Sequence, residues 1–336
     1  MQKKYIFVTV SEEKQFSNTV YAIFDDIFHC QDVDIIKGLY SKVPKFLRQL
    51  WLLHTSKKIN DKFHLPLQGI WGKYFKLKQY SFKDNIDYYI IFQNNSLIKS
   101  FDYKWLNRLA KKENIHLVYY TFDAWESELS YKEIVKKINF EKIYTYSPDD
   151  AKKYGFELFL TPYSILYPDL TSNKKQDIKY SIEFVGMNSD FRKDLLSKID
   201  KEILTKKYLD LVEFNQSGDI ITPTGTESWN KSKALDYKET LKVAIKSNVI
   251  LEIAYNNNYT APTLRYYEAV VYNKKLLTNI KNIKNFPFYN SKYMRIFEKI
   301  EDINQEMIDW IKQKETIDYG YDGLFSPSKL LEKVSE

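Results

Sequence analysis

Short apolar runs alternate with amphipathic stretches along this chain, and after one polar interruption the alternation starts afresh. Tyr5–Val10, Asp87–Phe92 (DYYIIF), Ile115–Phe122 (IHLVYYTF) and Lys142–Tyr146 are nearly continuously apolar. Strands covered on both faces must read this way. Between them the period becomes helical, over 102–112, 130–138 and 148–154, the last closing at Gly155 where a C-cap glycine belongs. Strand and helix in strict turn is the pattern of a parallel sheet with helical crossovers.

The stretch Thr161–Asp177 (TPYSILYPDLTSNKKQD) is polar, carries two prolines and reads as a hinge. Beyond it Tyr180–Gly186, Tyr208–Phe214, Val249–Ile253 and Lys275–Thr278 read as strands. Asp190–Ile203, Tyr237–Lys246, Thr263–Tyr272 and Asn304–Lys314 read as the helices that alternate with them. A chain of 336 residues is also long for one core. The expected fold is therefore α/β, with two Rossmann-like open parallel-sheet domains facing a cleft. The first spans 1–165 and the second 178–315, and 316–336 forms a C-terminal tail or helix that packs back on the first.

Cysteine usage bears on compartment. Cys30 is the only cysteine and there are four histidines, so neither an internal disulfide nor a Cys/His zinc site is expected. The N-terminal apolar run is too short for a signal-peptide core, and no window reaches the length of a membrane span. A soluble, cytoplasmic protein is the expectation. The net charge of +7 is unevenly placed: Lys37 to Lys83 holds eleven Lys/Arg against the single acid Asp61. Such a patch points to an anionic partner.

Four places have the chemistry of a site. In Ala261–Asn279, Pro262 and Thr263 open a helix whose N-terminus suits a diphosphate. Arg265 and Glu268 share one face there, for phosphate and for ribose or sugar hydroxyls, although the same spacing suits a plain surface ion pair. Gly186 and Arg192 follow a strand at the edge where open sheets bind ligands, or form a simple strand–helix turn. Asp123, Glu126 and Glu128 follow another apolar strand and are candidates for a catalytic base, Asp123 first, or else cap a loop. In Val43–Lys58, Phe46, Leu47, Leu50, Trp51 and Leu53 fall at helical spacing among Lys42, Lys45, Arg48, Lys57 and Lys58. That is either an interfacial helix meeting anionic headgroups or a core helix with basic ends. Asp149-Asp150 lacks a third ligand and reads as helix capping, so no metal is expected.

Three segments carry a resemblance. The series Tyr237-Lys-Glu-Thr-Leu, Ser247–Ile253, Thr263-Leu-Arg265, Glu268-Ala and Lys274-Lys-Leu-Leu-Thr-Asn279 resembles the donor-binding half of bacterial capsule and lipopolysaccharide glycosyltransferases of the GT-B type. Tyr146–Phe156 and Phe184-Val-Gly186 with Arg192 are similar to segments closing the first domain and opening the second in that group. Two departures stand out: Glu252 where Asp is more usual, and Ala261-Pro262 where glycine is expected. The resemblance implies a metal-independent hexosyltransferase without cofactor, taking a nucleotide-sugar, UDP-linked first, to a glycan or lipid-linked acceptor in bacterial surface polysaccharide synthesis. Its first domain would hold the acceptor. Its second would hold the donor through Gly186, Arg192, Tyr237, Thr263, Arg265 and Glu268. It would work peripherally on the inner face of the plasma membrane, with no nucleic acid as partner. The rival readings are a basic nucleic-acid-binding protein and an inactive membrane-associated scaffold of the same fold.

Overall fold

The computed structural model describes residues 2–9, 22–37, 43–55, 59, 62, 65–93, 98–122, 124–125, 129–171, 178, 180–187, 194–196, 198, 209–214, 220–221, 228–229, 237–254 and 261–336. They form two compact units, one of residues 1–164 with 325–336 and one of residues 165–324. The first holds β1 (Gln2–Thr9), β2 (Val33–Lys37), α1 (Arg48–Thr55), β3 (Ile86–Phe92), α2 (Tyr103–Leu109), β4 (Ile115–Thr121), α3 (Leu129–Val135), β5 (Lys142–Thr145), α4 (Pro148–Tyr154) and β6 (Glu157–Leu158). The second holds β7 (Tyr180–Met187), β8 (Leu209–Phe214), β9 (Ile220–Ile221), β10 (Ser228–Trp229), α5 (Tyr237–Ile245), β11 (Ser247–Glu252), α6 (Leu264–Val271), β12 (Lys275–Thr278), β13 (Met294–Ile296) and α7 (Gln305–Lys312). The last helix, α8 (Pro327–Val334), returns to the first unit.

The first sheet is parallel throughout, in the order β2-β1-β3-β4-β5-β6. Register places Ile6 beside Ile90 and Ile90 beside Leu117, so these side chains share a face. With Val8, Phe92 and Tyr119 they form one core, closed by Trp51, Trp71, Phe75 and Phe101. Gly72 is needed in that lid, because a Cβ there would meet the Ser100 carbonyl oxygen at 2.9 Å. The opposite face carries Phe7 against Phe24 and Tyr5 stacked on Tyr89. At the start of α4 Ser147 accepts the Asp150 N–H, and at its end Gly155 takes the left-handed conformation, φ 71°, that the sequence anticipates.

Unit 2 departs from an all-parallel sheet at one edge. Its order is β10-β9-β8-β7-β11-β12-β13, and β9 and β10 run antiparallel while the other strands are parallel. Ile182, Phe184, Val249, Leu251 and Leu277 line one face beneath Met307, Trp310 and Ile311 of α7. Lys275 sits fully buried on that side because its Nζ donates to the Trp310 and Gln313 carbonyls and pairs with Glu315 at 3.2 Å. Alternation then turns Glu183, Ile250, Glu252, Leu276 and Thr278 to the other face. Residues 316–324 stay with unit 2, and only 325–336 belong to unit 1. There Tyr144 donates to the Lys333 carbonyl and Lys3 to the Ser335 carbonyl.

Candidate functional site

All five parallel strands of unit 2 end at one edge, and three buried carboxylates and an arginine converge toward it. Glu252, the last residue of β11, ties that edge together. Its Oε1 accepts the Thr263 N–H at 2.8 Å and its Oε2 accepts the Thr278 hydroxyl at 2.6 Å. Burial raises its pKa, and the bonds from Thr278 and Thr263 offset part of that rise. The extra methylene relative to aspartate gives the reach from β11 to the start of α6. Thr263 in turn caps α6, its hydroxyl accepting the Arg265 N–H at 3.3 Å. Asn279 closes the same edge, its Oδ1 accepting the Ala254 N–H at 2.8 Å.

Arg265 is the second residue of α6. Its Nη1 donates to Glu268 Oε2 at 2.5 Å and its Nη2 to the Val185 carbonyl at 2.5 Å. Glu268 is 1% exposed, and its other oxygen accepts the Tyr237 hydroxyl at 3.1 Å. Glu183 lies beneath, with Oε1 3.9 Å from Arg265 Nη1 and neither oxygen accepting a hydrogen bond among the described residues. Burial pushes the Glu183 carboxyl up to about 7 against the pull of Arg265. Burial alone would lower Arg265, but the Glu268 and Glu183 carboxylates hold it above its ordinary value. A guanidinium has five N–H donors, and two are taken by these bonds, so three are without a partner among the described residues.

The structure thus brings together Tyr237, Thr263, Arg265 and Glu268 of the sequence-derived set. Gly186 joins them through β7, directly after the Val185 carbonyl that Arg265 grips. Arg192 lies outside the described residues, as do Asp123, Glu126, Lys42, Lys57 and Lys58. Glu183 was passed over, although a carboxylate inside the apolar run Tyr180–Gly186 is itself the signal.

One expectation needs correcting. Trp51 does not line an exposed face: it is 7% exposed and packs 5.3 Å from Trp71. The cause is helical spacing, which puts Trp51 and His54 together against Trp71, whose Nε1 donates to His54 Nδ1 at 2.9 Å. Burial lowers the His54 pKa, consistent with its accepting role. Lys45 is exposed, and Arg48 is half-buried with Nε on the Val43 carbonyl. The chain also contains a D-x-D run, Asp32-Val33-Asp34. It lies at the amino end of β2, with Asp34 bound by Lys4 at 2.9 Å and by the Tyr80 hydroxyl.

A cavity of about 600 Å³ between Lys281, Lys284, Ile296 and Glu298 is a different place. It is open, and its Lys281 and Glu298 pair with each other at 2.6 Å. The convergent buried groups are at Arg265, and that is where the chemistry is concentrated.

No family model matches the chain, and no curated protein matches it in sequence. In three dimensions it is similar to an alpha-glucosyltransferase solved with UDP and a 13-mer DNA containing a central A:G mismatch, at 12% identity, with 100% of each chain covered and a TM-score of 0.54. It is also similar to the apo structure of OtsA, at 10% identity, with 100% of this chain and 99% of that one covered and a TM-score of 0.51. At such identities the likeness concerns architecture, and the architecture is the mixed α/β, parallel-sheet fold of GT-B glycosyltransferases.

Proposed function

We propose that this chain transfers a hexosyl group from a nucleotide-sugar to a glycan or lipid-linked acceptor in bacterial surface polysaccharide synthesis. The observation that carries the reading is the Arg265–Glu268–Tyr237 cluster at the carboxyl edge of a GT-B sheet. The N-terminus of α6 and the free N–H groups of Arg265 suit a diphosphate, whose developing charge they stabilise as it leaves. Gly186 admits the phosphates close to β7, and Glu268 and Tyr237 suit sugar or ribose hydroxyls. In this reading unit 2 holds the donor and unit 1 the acceptor. Asp123 and Glu126, which follow β4 in sequence, supply the base if the reaction inverts. UDP is the first nucleotide to test, since a structural neighbour of this chain was solved with UDP.

Metal independence belongs to the same proposal and rests on electrostatic stabilisation by Arg265 and the helix. Activity that is abolished by EDTA and restored by Mn²⁺ would refute that part alone.

Titration calorimetry of the full chain with UDP-, GDP- and CMP-sugars tests the core of the proposal. Saturable binding of one class, weakened in Glu268→Gln, is the expected result. Absence of binding to all of them would leave an inactive scaffold as the better description.

A further inference from the structure

Ten large apolar side chains stand exposed among the described residues, and six of them fall between Phe46 and Ile70. Phe46, in the turn before α1, and Leu50 and Leu53 of α1 follow one another at helical spacing and are exposed, while Trp51 and His54 of the same helix are buried. Leu67 and Ile70 belong to the turn that packs beside α1, where Gln68 Nε2 donates to the His54 carbonyl at 3.0 Å. Leu52 completes the set.

Two of these residues are placed against the ordinary economy of folding. Phe46 is 83% exposed, although its aromatic ring would gain from burial anywhere in the unit. Leu67 is 75% exposed and sits at φ 61°, the left-handed region that a side chain with a Cβ disfavours. A leucine held there with its side chain in solvent contributes little to this unit's stability. Backbone strain combined with apolar exposure points to a use outside the fold.

Charge selects the partner. From 43 to 83 the sequence has the single acid Asp61, while Lys45, Lys62, Lys73, Lys76 and Lys78 are all exposed. We propose that the outer face of α1 and the Leu67–Ile70 turn dock on an anionic lipid bilayer, inserting Phe46, Leu50, Leu53, Leu67 and Ile70 while the lysines meet the headgroups. The inserting set differs from the sequence-based one, because Trp51 is spent on the core. Apolar side chains ringed by cations are the composition of an interfacial anchor, and the docking does not depend on which reaction the chain catalyses.

The test is sedimentation of the full chain with vesicles of equal parts phosphatidylglycerol and phosphatidylcholine, against vesicles of phosphatidylcholine alone. The wild type pellets with the anionic vesicles, and a salt-resistant fraction remains bound as ionic strength rises. Replacing Lys45, Lys73 or Lys76 by Gln lowers the partition coefficient about fivefold per residue at low salt. Phe46→Ser with Leu67→Gly removes the salt-resistant fraction. Leu67→Gly by itself leaves the melting temperature unchanged or raised, since glycine accepts φ 61° freely, which separates lost docking from lost folding. A wild type that ignores anionic vesicles at low salt overturns the proposal. So does a dimer in sedimentation equilibrium that Phe46→Ser dissociates, which would make this face a contact between copies.

Discussion

Arg265 and Glu268 are bonded to each other at 2.5 Å across one turn of α6, and Tyr237 occupies the second oxygen of the same carboxylate. The pair is not a solvated surface contact. Glu268 is almost fully buried, and Glu183 lies within ion-pair reach of the same guanidinium. Removing the cation from such a group leaves carboxylates buried without compensation, which typically costs about 3–5 kcal/mol.

Arg265→Ala is therefore expected to lower both donor use and stability, and its kinetics alone would be hard to interpret. Glu268→Gln is the cleaner probe, because it keeps the shape and can still receive the Tyr237 hydroxyl. It should reduce kcat/KM for the donor by about one to two decades, the worth of one charge-assisted contact, with a much smaller fall in melting temperature than Arg265→Ala. Steady-state kinetics and thermal denaturation on both variants check this. Equal donor kinetics in wild type and Glu268→Gln would remove the cluster from the binding site.

Glu183 gives the protein a pH dependence of definite sign. Burial raises its pKa to about 7, against 4.5 for the ordinary group. Below 4.5 both folded and unfolded chains carry the proton, so Glu183 costs nothing there. From 4.5 to 7 the unfolded chain ionises while the folded one resists, and stability falls as pH rises. Glu183→Gln should remove this loss, so its melting temperature exceeds that of the wild type at pH 8 by more than at pH 4. An identical difference at both pH values would mean that folding leaves the Glu183 pKa unshifted.

Lys274 shows the opposite polarity. It is 1% exposed, its Nζ has no hydrogen-bond partner among the described residues, and burial lowers its pKa to about 7 from 10.5. The unfolded chain thus binds more protons than the folded one between those values, and stability rises with pH across that window. Lys274→Met, of similar length and without the amine, should raise the melting temperature at pH 7 by several degrees. The advantage should shrink as pH rises toward and past 10.5, above which the wild-type amine is neutral in both states. A variant less stable than wild type at pH 7 would show that the amine is compensated.

The sequence carried the strands and helices that bury apolar faces, because their periods are local properties. Lys275–Thr278 and Pro148–Tyr154 end where their apolar pattern and capping residues say they should. The elements it left out lack that pattern or are too short to show one. β6 and β9 are two residues each, and β13 is three. Within the site, Arg265 and Glu268 were legible from spacing. The burial of Glu268 and the stacking of Glu183 beneath Arg265 were not, because they arise from β7 and α6, some eighty residues apart. Trp51 is the converse case: a basic, aromatic helix reads the same whether its tryptophan faces lipid or a second tryptophan. Only Trp71, from a turn with no periodic signature, decides it.

One further device lies where the chain leaves and re-enters unit 1. Asp26 Oδ1 accepts the Ser164 hydroxyl at 2.7 Å, and Oδ2 accepts the Ser326 hydroxyl at 3.3 Å. Ser164 is the last residue before the chain passes to unit 2, and Ser326 caps α8 just after the return. The two strands of the crossing are also tied directly, with the Tyr163 N–H on the Phe325 carbonyl at 2.7 Å. One carboxylate thus fastens both ends of the crossing within this unit. Burial raises the Asp26 pKa and the bonds from Ser164 and Ser326 pull it back, so the group is held by hydroxyls rather than by a cation. Asp26→Ala should release α8 locally, at a cost of about 1–3 kcal/mol for the hydroxyls left unsatisfied. Hydrogen exchange is the direct measurement, since local opening shows in the amides that open and not in the global melt. Amides of Lys329 and Ser335, bonded within α8, should exchange faster in Asp26→Ala, while those of β3 and β4 keep wild-type protection. Uniform acceleration across the unit would assign Asp26 to global stability instead, and unchanged exchange in α8 would show that the Tyr163–Phe325 tie suffices without it.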